Sequence, residues 1–442
     1  MKVVLIGVGT SSTSAVVDAA AALTVAMTTA AHCEDAAAHL EAADGVIVDL
    51  DASGSHHDFS DAVRKISHPR VLAIGSNLTS DQVTRLFAAG VRDVLATPLH
   101  KRELVLRLSA LLHRKTRIAC VGGGTGLFNV LSGLKDAPHV LLSSIVAMSD
   151  DGGSSGRLRT SFGVLPPGDV RRSLVALSNA PAVMNHVMQY RFEGGDGLDG
   201  HSLGNLLLTA LCELGGGMQG AVKALGDVLN VQGLIMCVTD RSTTLCAELA
   251  DGRIVRGESA IDQCIDRSST LRIRRVWQEP PAETSVDAMA SLLGADLIVI
   301  GPGDLYTSVL AGLIVGGVAD AVRASRARRL YVCNLMTKRG ETSGYDVADH
   351  VAPIVEALGA DVLDYVLVST SAMSPEAVQA YAAQSQHPVA ASSEARLREV
   401  TRARVVTGDV GHHADLVRHE SAKLAEILLA VLREPSRVAK SA

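Results

Sequence analysis

The fold is decided by the stretch Val121-Gly122-Gly123-Gly124-Thr125-Gly126, which places a glycine-rich turn directly after an apolar run. Two more blocks follow along the chain: Ser149-Asp150-Asp151-Gly152-Gly153-Ser154-Ser155-Gly156-Arg157 and Leu165-Pro166-Pro167-Gly168-Asp169-Val170-Arg171. Glycine lets backbone N–H groups approach a ligand closely, and helix N-termini favour anions. Together, the three blocks predict a pocket for a phosphorylated ligand.

The residues around these blocks predict a parallel sheet. Ile118–Val121 and Val140–Ala147 are apolar runs of strand length, and Thr125–Leu134 between them is predicted to be a helix. The glycine turn and the acidic block then follow the carboxyl ends of two neighbouring strands, where open α/β sheets bind ligands. Apolar runs of the same kind recur at Leu297–Ile300, Leu330–Cys333 and Tyr365–Val368. A closing amphipathic helix is predicted over residues 414–432.

Residues 1–114 alternate between short apolar runs and helical stretches, which predicts a second, doubly wound parallel sheet. The order of elements, with Asp49 ending the third strand and Ala96-Thr97-Pro98 after the fifth, resembles a response-regulator receiver domain. The resemblance is degenerate, since Gly7-Val8-Gly9 replaces the acidic pair and Thr97 replaces the lysine. Those groups help to bind Mg²⁺ and the phosphoryl group, so we do not expect phosphorylation of Asp49. The domain is instead interpreted as a docking or dimerising module.

Composition and charge exclude several classes of function. The 442 residues are 47% apolar and 20% charged, as expected for a well-buried globular protein of about two or three domains. The net charge of -6 gives no support for a nucleic-acid partner. None of the seven cysteines forms a C-x-x-C pair, so we interpret them as small apolar residues in a reducing compartment.

We expect a cytoplasmic protein without membrane insertion. The N-terminus lacks the basic and apolar pattern of a signal peptide. The apolar stretch Leu297–Val318 is interrupted by Gly301-Pro302-Gly303-Asp304 and by Gly316-Gly317, whereas a spanning helix needs about 20 apolar residues. A strand, a turn and a helix are predicted there instead. A homo-oligomer formed through either domain remains open.

The acidic pair Asp150-Asp151 needs a partner, because adjacent carboxylates repel each other and are costly to bury unpaired. Mg²⁺ or sugar hydroxyls suit such a pair. An ion pair with Arg157 or Arg159 is the structural alternative.

The Pro-Pro-Gly turn carries a second pair of charged residues at a helix start. Arg171 could bind a phosphate through its guanidinium fork, and solvation is the alternative for this side chain. Asp169 could serve simply as the N-cap of the helix.

Two later turns are also predicted to reach the same edge of the sheet. Gly200-His201-Ser202-Leu203-Gly204-Asn205 places polar side chains at a helix start, where His201 contacts a ligand or caps the helix. No second His or Cys stands at metal-ligand spacing, so zinc is not expected. Gly301-Pro302-Gly303-Asp304-Leu305-Tyr306-Thr307-Ser308 offers backbone amides and two hydroxyls to a phosphate, with helix capping as the alternative. Asn334 follows the next apolar run.

Read together, these blocks resemble the YvcK/CofD-like family, and within it the YvcK branch of gluconeogenesis factors. The matching segments span about residues 117 to 430: Val121–Gly126, Asp150–Arg159, Phe162–Arg171, Gly200–Leu206, Gly301–Ser308 and Asn334–Tyr345. The resemblance implies a Rossmann-like core that binds a nucleotide-type ligand, for this branch a UDP-sugar such as UDP-N-acetylglucosamine. It implies a cytoplasmic role in cell-shape and cell-wall homeostasis during gluconeogenic growth.

The CofD relatives are transferases that move a phospholactyl group from a nucleotide diphosphate carrier onto a deazaflavin precursor. In them Mg²⁺ is held by acidic residues, whose position Asp150 and Asp151 occupy here by motif match. No covalently bound cofactor is implied. Three departures stand out: Ser149 replaces a common Ala, Asp304 a common Ser, and Lys338-Arg339 a common Gln-Pro. Because Asp304 adds negative charge beside the expected phosphate, a diphosphate contact at that turn needs a bridging cation.

The sequence thus predicts an α/β protein with a flavodoxin- or receiver-like domain at 1–114, a Rossmann-like CofD-type domain at 117–432 and a flexible tail at 433–442. The predicted ligand-binding residues are Gly123, Gly124, Thr125, Gly126, Asp150, Asp151, Gly152, Gly153, Ser154, Arg157, Pro167, Gly168, Asp169, Arg171, His201, Asn205, Gly301, Gly303, Thr307, Ser308 and Asn334. No Ser-His-Asp or Cys-His arrangement is readable, which favours a regulator that binds a nucleotide sugar. A Mg²⁺-dependent transferase and a scaffold whose receiver-like domain binds a partner are the alternatives.

Overall fold

Two parallel sheets organise the chain. The structure is a computed structural model and describes residues 1–7, 11–52, 63–64, 66, 68–262, 272–413 and 417–434. Of the residues expected to replace the receiver's acidic pair, Gly7 is described, whereas Val8 and Gly9 lie outside these ranges.

The first sheet has five parallel strands in the order β2-β1-β3-β4-β5. Its elements are β1 Lys2–Ile6, α1 Ser11–Ala22, β2 Ala26–Ala30, α2 Cys33–Leu40, β3 Gly45–Asp49, β4 Val71–Gly75, α3 Ser80–Ala88, β5 Asp93–Ala96 and α4 Lys101–Leu112. Strands β3 and β4 are buried at every position, as central strands covered on both faces must be. The strand order is that of flavodoxin-like folds, which confirms the predicted fold class. Asp49 ends β3 and is 1% exposed; the absence of its phosphorylation stays a prediction.

The second sheet has seven parallel strands in the order β15-β14-β13-β12-β6-β7-β8. Its strands are β6 Thr116–Gly122, β7 Val140–Val146, β8 Leu234–Cys237, β12 Leu297–Ile300, β13 Arg328–Val332, β14 Tyr365–Ser369 and β15 Arg404–Gly408. Chain order reverses across the β12–β6 boundary, which is the switch point where open α/β sheets bind ligands. The Rossmann-like class predicted for this part is confirmed.

Helices cover both sides of this sheet, and two small antiparallel sheets join them. The helices are α5 Gly124–Leu134, α6 Gly153–Phe162, α7 Gly168–Leu177, α8 Ala182–Gln189, α9 Leu203–Leu214, α10 Gly217–Val228, α11 Glu258–Asp262, α12 Val286–Leu293, a π-helix Leu305–Leu310 continued by α13 Ala311–Leu313, α14 Val318–Ala324, α15 Val347–Leu358, α16 Pro375–Ala382, α17 Glu394–Val400 and α18 Ser421–Arg433. The small sheets comprise β9 Thr244–Leu249, β10 Ile254–Arg256 and β11 Ile273–Glu279, and the hairpin β16 Gly411–His413 with β17 Val417–His419.

The closing helix starts later than the pattern predicts. Val417–His419 forms strand β17, and α18 begins only at Ser421. Glu420 sets that boundary, because its carboxylate accepts the backbone N–H groups of Ala422 and Lys423. Of the predicted flexible tail, Arg433 still belongs to α18, and residues 435–442 lie outside the described ranges.

No helix in the described ranges is both long and apolar enough to cross a membrane. The apolar stretch 297–318 forms β12, a turn and short helices, as predicted. Among the cysteines whose side chains the structure describes, five are unbonded; Cys120, Cys237, Cys246 and Cys333 of these are buried, which agrees with their interpretation as small apolar residues. Cys264 lies outside the described residues.

A network of charged side chains, most of them buried, connects the strands and helices of the first sheet to those of the second. This junction network consists of Asp93, Glu103, Arg107, Arg117, Lys223 and Asp287, which come from β5, α4, β6, α10 and α12. Arg107 Nη1 lies 2.7 Å from Asp93 Oδ1, and its Nη2 lies 2.9 Å from Glu103 Oε1. Lys223 Nζ lies 2.9 Å from Glu103 Oε2. One face of the receiver-like domain therefore docks on the rest of the same chain, while the boundary at residues 114–117 remains a prediction.

Candidate functional site

Four loops meet at the carboxyl edge of the second sheet. They follow β13, β12, β6 and β7, which are consecutive neighbours in that sheet. The glycine turn follows β6, the acidic block follows β7, and the Gly-Pro-Gly turn follows β12. Asn334 follows β13. The edge predicted from the sequence is therefore formed as expected.

Two glycines of the turn, Gly123 and Gly126, leave no room for a side chain. A Cβ atom on Gly126 would lie 2.1 Å from the carbonyl oxygen of Pro302, so the turns after β6 and β12 touch through bare backbone. A Cβ on Gly123 would lie 2.4 Å from Oδ2 of Asp169. Close backbone contact, rather than chain flexibility alone, explains the glycines.

Asp169 belongs to α7, but its side chain reaches the N-terminus of another helix, α5. It does not cap α7. Its carboxylate accepts the backbone N–H of Gly124, and its Oδ1 lies 3.1 Å from Nη1 of Arg172. The N-cap of α7 is Pro167, without a side-chain cap, so the capping alternative for Asp169 is wrong. A carboxylate supplied by the protein thus already occupies part of the anion position at α5.

The two carboxylates of the acidic pair have different partners. Asp150 Oδ1 accepts the Gly152 N–H at 2.9 Å, and Asp151 Oδ1 accepts the Ser259 N–H at 2.7 Å. Asp151 therefore anchors the start of α11, whereas Asp150 faces the helix start at Gly168, whose Cβ would lie 2.7 Å from its Oδ2.

The alternative of an ion pair with nearby arginines is not formed among the described residues. Arg157 Nη2 donates to the carbonyl of Asp199 at 2.6 Å, and Arg159 donates to the carbonyl of Thr243. Both guanidinium groups therefore hold neighbouring loops.

Asp150, Asp169 and Glu258 form a group that we call the carboxylate cluster. Burial, followed by the negative charges of Asp150 and Asp169, raises the pKa of Glu258 well above its ordinary value. Burial and Asp150 likewise raise the pKa of Asp169, although Arg172 opposes the shift. Glu258 is held in place by Ser149, whose hydroxyl donates to Oε2 at 2.9 Å. Arg172 supplies one positive charge to Asp169, and a further cation would stabilise the remaining carboxylates.

A buried hydrogen-bond network lies beside this cluster. Ser154 Oγ is 3.1 Å from His201 Nδ1 and accepts from Asn205 Nδ2 at 3.1 Å. Arg171 Nε donates to Asn205 Oδ1 at 2.9 Å, so the solvated alternative for Arg171 is wrong. Burial, with the charges of Arg172 and Arg191, lowers the pKa of Arg171 to about 10. Ser154 is 4% exposed and its hydroxyl is enclosed by these partners; its contact with a ligand stays a prediction.

The turn after β12 is bound by Glu341, a residue that the sequence analysis did not identify. Thr307 Oγ1 donates to Glu341 Oε1 at 2.8 Å, and the Tyr306 N–H donates to Glu341 Oε2 at 3.1 Å. Thr307 is therefore not a helix cap. Burial, and then the charges of Asp304 and Asp262 against that of Lys338, raise the pKa of Glu341 to about 7. Ser308 is 7% exposed and packs near Gly123.

A cation does stand beside Asp304, and the protein itself supplies it. Lys338 Nζ lies 2.6 Å from Asp304 Oδ2. Two departures from the family pattern, read separately in the sequence, thus form one ion pair.

A cavity of about 290 Å³ opens between the turns after β6, β12 and β13. Predicted residues in its wall are Thr125, Gly126, Gly303 and Asn334. Asn334 Nδ2 donates to the Gly303 carbonyl at 2.8 Å and so links two of the turns. A second cavity of about 200 Å³ shares Asn334 and Leu335 with the first.

The predicted residues thus fall into two adjoining groups. Thr125, Gly126, Gly303 and Asn334 line the cavity, while Asp150, Asp169, Arg171, His201 and Asn205 lie around the carboxylate cluster and its network. Gly152, Gly153, Pro167 and Gly168 begin the helices α6 and α7, and Gly301 begins the turn after β12.

Four side chains at this edge escaped sequence reasoning: Asn129, Glu258, Glu341 and His419. Asn129 lies within a helix, and the other three come from segments distant in sequence. His419 is 8% exposed and bonded to the Cys333 backbone, and burial lowers its pKa to about 4. No local sequence pattern distinguishes these residues from ordinary surface polar groups.

Comparison with known proteins shows which family this chain matches. Residues 118–410 match the family described as 2-phospho-L-lactate transferase CofD. The gluconeogenesis factor of Bacillus subtilis is 40% identical over 328 residues, which cover 73% of this chain and 99% of that protein. The gluconeogenesis factor of Halalkalibacterium halodurans is 40% identical over 317 residues, covering 72% of this chain and 96% of that protein.

Solved structures agree with the sequence relatives. A crystal structure of a Bacillus halodurans protein of the UPF0052 family is 39% identical and superposes with a TM-score of 0.68. It covers 71% of this chain and 100% of that chain.

Proposed function

This chain belongs to the CofD family, and we propose that within it the protein is a cytoplasmic regulator that binds a nucleotide sugar of the UDP-N-acetylglucosamine type. The observation that carries the proposal is that one glycine turn at the switch point of the second sheet serves both regions: Thr125 lines the cavity, and the preceding Gly124 N–H is bound by Asp169 of the carboxylate cluster. A cavity wall of backbone amides and amide side chains suits a polar ligand, and the cluster suits the metal that accompanies a diphosphate.

The carboxylate cluster offers the type of donor that suits Mg²⁺, the metal that the CofD relationship implies. Burial and the charges of Asp150 and Asp169 raise the pKa of Glu258, and Arg172 offsets part of this charge through Asp169. Asp150, Asp169 and Glu258 would hold the ion, and Asp151 less directly, since its Oδ1 is bound to the start of α11. A metal bound there would neutralise the charge of the ligand's diphosphate.

The protein's own groups would orient the ligand. The Arg171 guanidinium is fixed by Asn205 near the cluster. The Asn334 side chain is fixed by the Gly303 carbonyl in the cavity wall. Groups held in this way lose little freedom when a ligand binds, which favours affinity.

Calorimetry tests this proposal directly. UDP-N-acetylglucosamine titrated into the full chain with Mg²⁺ should give a saturable heat at one ligand per chain. N-acetylglucosamine alone should bind far more weakly, since it lacks the diphosphate. No heat at millimolar UDP-N-acetylglucosamine would contradict the proposal.

The names of the relatives support a role in carbon metabolism, and we include regulation of cell shape and cell wall in the proposal. Bacillus subtilis lacking its gluconeogenesis factor should regain normal shape on gluconeogenic carbon when it expresses this chain. An Asp150→Asn variant should fail to restore it. Equal rescue by both chains would separate the cellular role from this site.

The carboxylate cluster also supports a second candidate, a Mg²⁺-dependent transferase that uses a nucleotide-diphosphate donor. In such a transfer the acceptor hydroxyl would replace a nucleoside monophosphate on the phosphorus of the phospholactyl group, and positive charge placed against that leaving phosphate would stabilise the transition state. Incubation with the phospholactyl donor and a deazaflavin acceptor should then yield product, and Asp150→Asn should abolish it. Full activity of that variant would exclude the metal role.

A further inference from the structure

Lys338 joins three segments around the cavity. Its Nζ lies 2.7 Å from Asp262 Oδ1, 2.6 Å from Asp304 Oδ2 and 3.5 Å from Glu341 Oε1. Asp262 ends α11, Asp304 lies in the turn after β12, and Glu341 holds the start of the π-helix. A lysine ammonium has three N–H donors, and a carboxylate oxygen lies near each.

The same three carboxylates are spaced like the ligands of a metal ion. One ligand atom from each of Asp262, Asp304 and Glu341 lies within 4.8 Å of the other two. Calcium and manganese take carboxylate oxygens in such sets, and three carboxylates without a cation would repel each other. The ammonium of Lys338 lies among them, at distances typical of charge-assisted hydrogen bonds.

We propose that Lys338 is a tethered cation that takes the place of a divalent metal ion among Asp262, Asp304 and Glu341 and keeps metal ions out of this part of the edge. In the terms of the proposed function, on which this second step rests, metal is thereby directed to the carboxylate cluster, where Arg172 pairs with Asp169 but no described basic side chain forms an ion pair with Asp150 or Glu258. Lys338 is a positioning residue, because its donors are turned to the protein's own carboxylates.

The charge state of Lys338 supports this assignment. Burial alone would lower its pKa, but the carboxylates of Glu341, Asp304 and Asp262 outweigh burial and raise it. The ammonium therefore remains charged at neutral pH. One positive charge offsets only part of the negative charge of the three carboxylates. The pKa of Glu341, raised to about 7, reduces the negative charge that remains.

The position of Asp262 gives Lys338 a second consequence. Asp262 is the last residue of α11, and Glu258 of the carboxylate cluster is the first. By holding Asp262, Lys338 fixes the short helix that presents Glu258. The lysine thus both compensates one group of carboxylates and orients the other.

The test counts bound Mn²⁺ on the full chain by calorimetry and electron paramagnetic resonance, with no nucleotide present. Lys338→Ala should bind one Mn²⁺ per chain more than wild type, because the three carboxylates then lack their cation. Lys338→Arg, which keeps the charge, should bind the wild-type number. Equal Mn²⁺ counts for wild type and Lys338→Ala would overturn the proposal.

The double variant Lys338→Ala/Asp304→Asn identifies the new site. It should lose the additional Mn²⁺, and retention of that ion would contradict the assignment to these carboxylates. If Lys338→Ala does not fold, Asp304→Asn alone decides: it should leave the wild-type Mn²⁺ count unchanged, and loss of an ion would overturn the proposal. A failure of the proposed function, seen as absent heat with UDP-N-acetylglucosamine, would leave these Mn²⁺ counts as they are.

Discussion

The junction network is largely buried and the carboxylate cluster is half-buried, and both are charged, yet they are built in opposite ways. In the junction network, three carboxylates face three cations, and Arg107 and Asp93 are each 1% exposed. There Asp93 and Glu103 outweigh the effect of burial and raise the pKa of Arg107. In the carboxylate cluster, burial and neighbouring negative charges raise the pKa of Glu258 instead.

The difference indicates what each region is for. A buried charge that has its partner within the chain holds the fold together, and removal of that partner is severely destabilising. A buried carboxylate that is crowded by others costs stability unless something from outside the chain binds it. We therefore assign the junction network to structure and the carboxylate cluster to binding.

The largest effect is expected where the junction network loses a cation. Arg107→Met should lower the free energy of unfolding by about 3–5 kcal/mol, because Asp93 and Glu103 are then left buried without their main partner. Urea denaturation followed by circular dichroism measures it. Arg85→Met is the matched control: Arg85 pairs with Asp81 at an exposed site, 63% exposed itself, so its loss should cost about 0.5 kcal/mol or less. Similar losses in the two variants would refute the structural role of the network.

His419 shows a third way to place an ionisable side chain away from solvent: it is buried at the edge of the sheet and stays neutral. Its pKa of about 4 lies below the ordinary histidine value of about 6.5. Between these values the unfolded chain binds a proton that the folded chain rejects, so stability is lost as pH falls through this window. The loss amounts to about 3 kcal/mol.

His419→Gln should remove that part of the pH dependence, because glutamine does not titrate. Urea midpoints measured from pH 7 to pH 4 for wild type and variant give the comparison. Parallel curves for the two chains would show that His419 does not titrate as the structure indicates.

A smaller effect separates the two members of the acidic pair. Asp150→Asn should weaken Mg²⁺-dependent binding of UDP-N-acetylglucosamine by at least about tenfold, or about 1.4 kcal/mol. Asp151→Asn should change it much less, because asparagine keeps an oxygen that accepts the Ser259 N–H. Calorimetry of both variants tells the two roles apart. If Asp151→Asn is as damaging as Asp150→Asn, both carboxylates hold the metal, as the sequence alone predicts.

Much of the fold follows from local sequence. The strand at 297–300 has the predicted bounds, and the helix Gly124–Leu134 and the strand Tyr365–Ser369 each differ from the prediction by one residue, because apolar runs between turn residues leave few alternatives. Helix α6 was not predicted: its sequence Gly-Ser-Ser-Gly is unfavourable for a helix, and it forms through contacts with the neighbouring loops. Strand β11 was missed because Arg274 and Arg275 interrupt its apolar pattern.

The candidate site was likewise predictable from the sequence only in part. The turns that follow the strands were predictable, since neighbouring parallel strands bring them to one edge. Glu258 and Glu341 were not, because each becomes significant only through residues more than 30 positions away. The pairing of Asp304 with Lys338 belongs to the same class: both residues stood out in the sequence, but only the fold brings them together.

The most direct test of the contrast between the junction network and the carboxylate cluster replaces one glutamate by glutamine in each region. Glu103→Gln should lower the free energy of unfolding by about 3 kcal/mol, since Arg107 and Lys223 lose a buried counter-charge. Glu258→Gln should leave it unchanged or raise it without added metal, because it removes one crowded carboxylate, and should weaken Mg²⁺-dependent ligand binding. Equal destabilisation by both substitutions, with binding intact in Glu258→Gln, would contradict the assignment of the carboxylate cluster to binding.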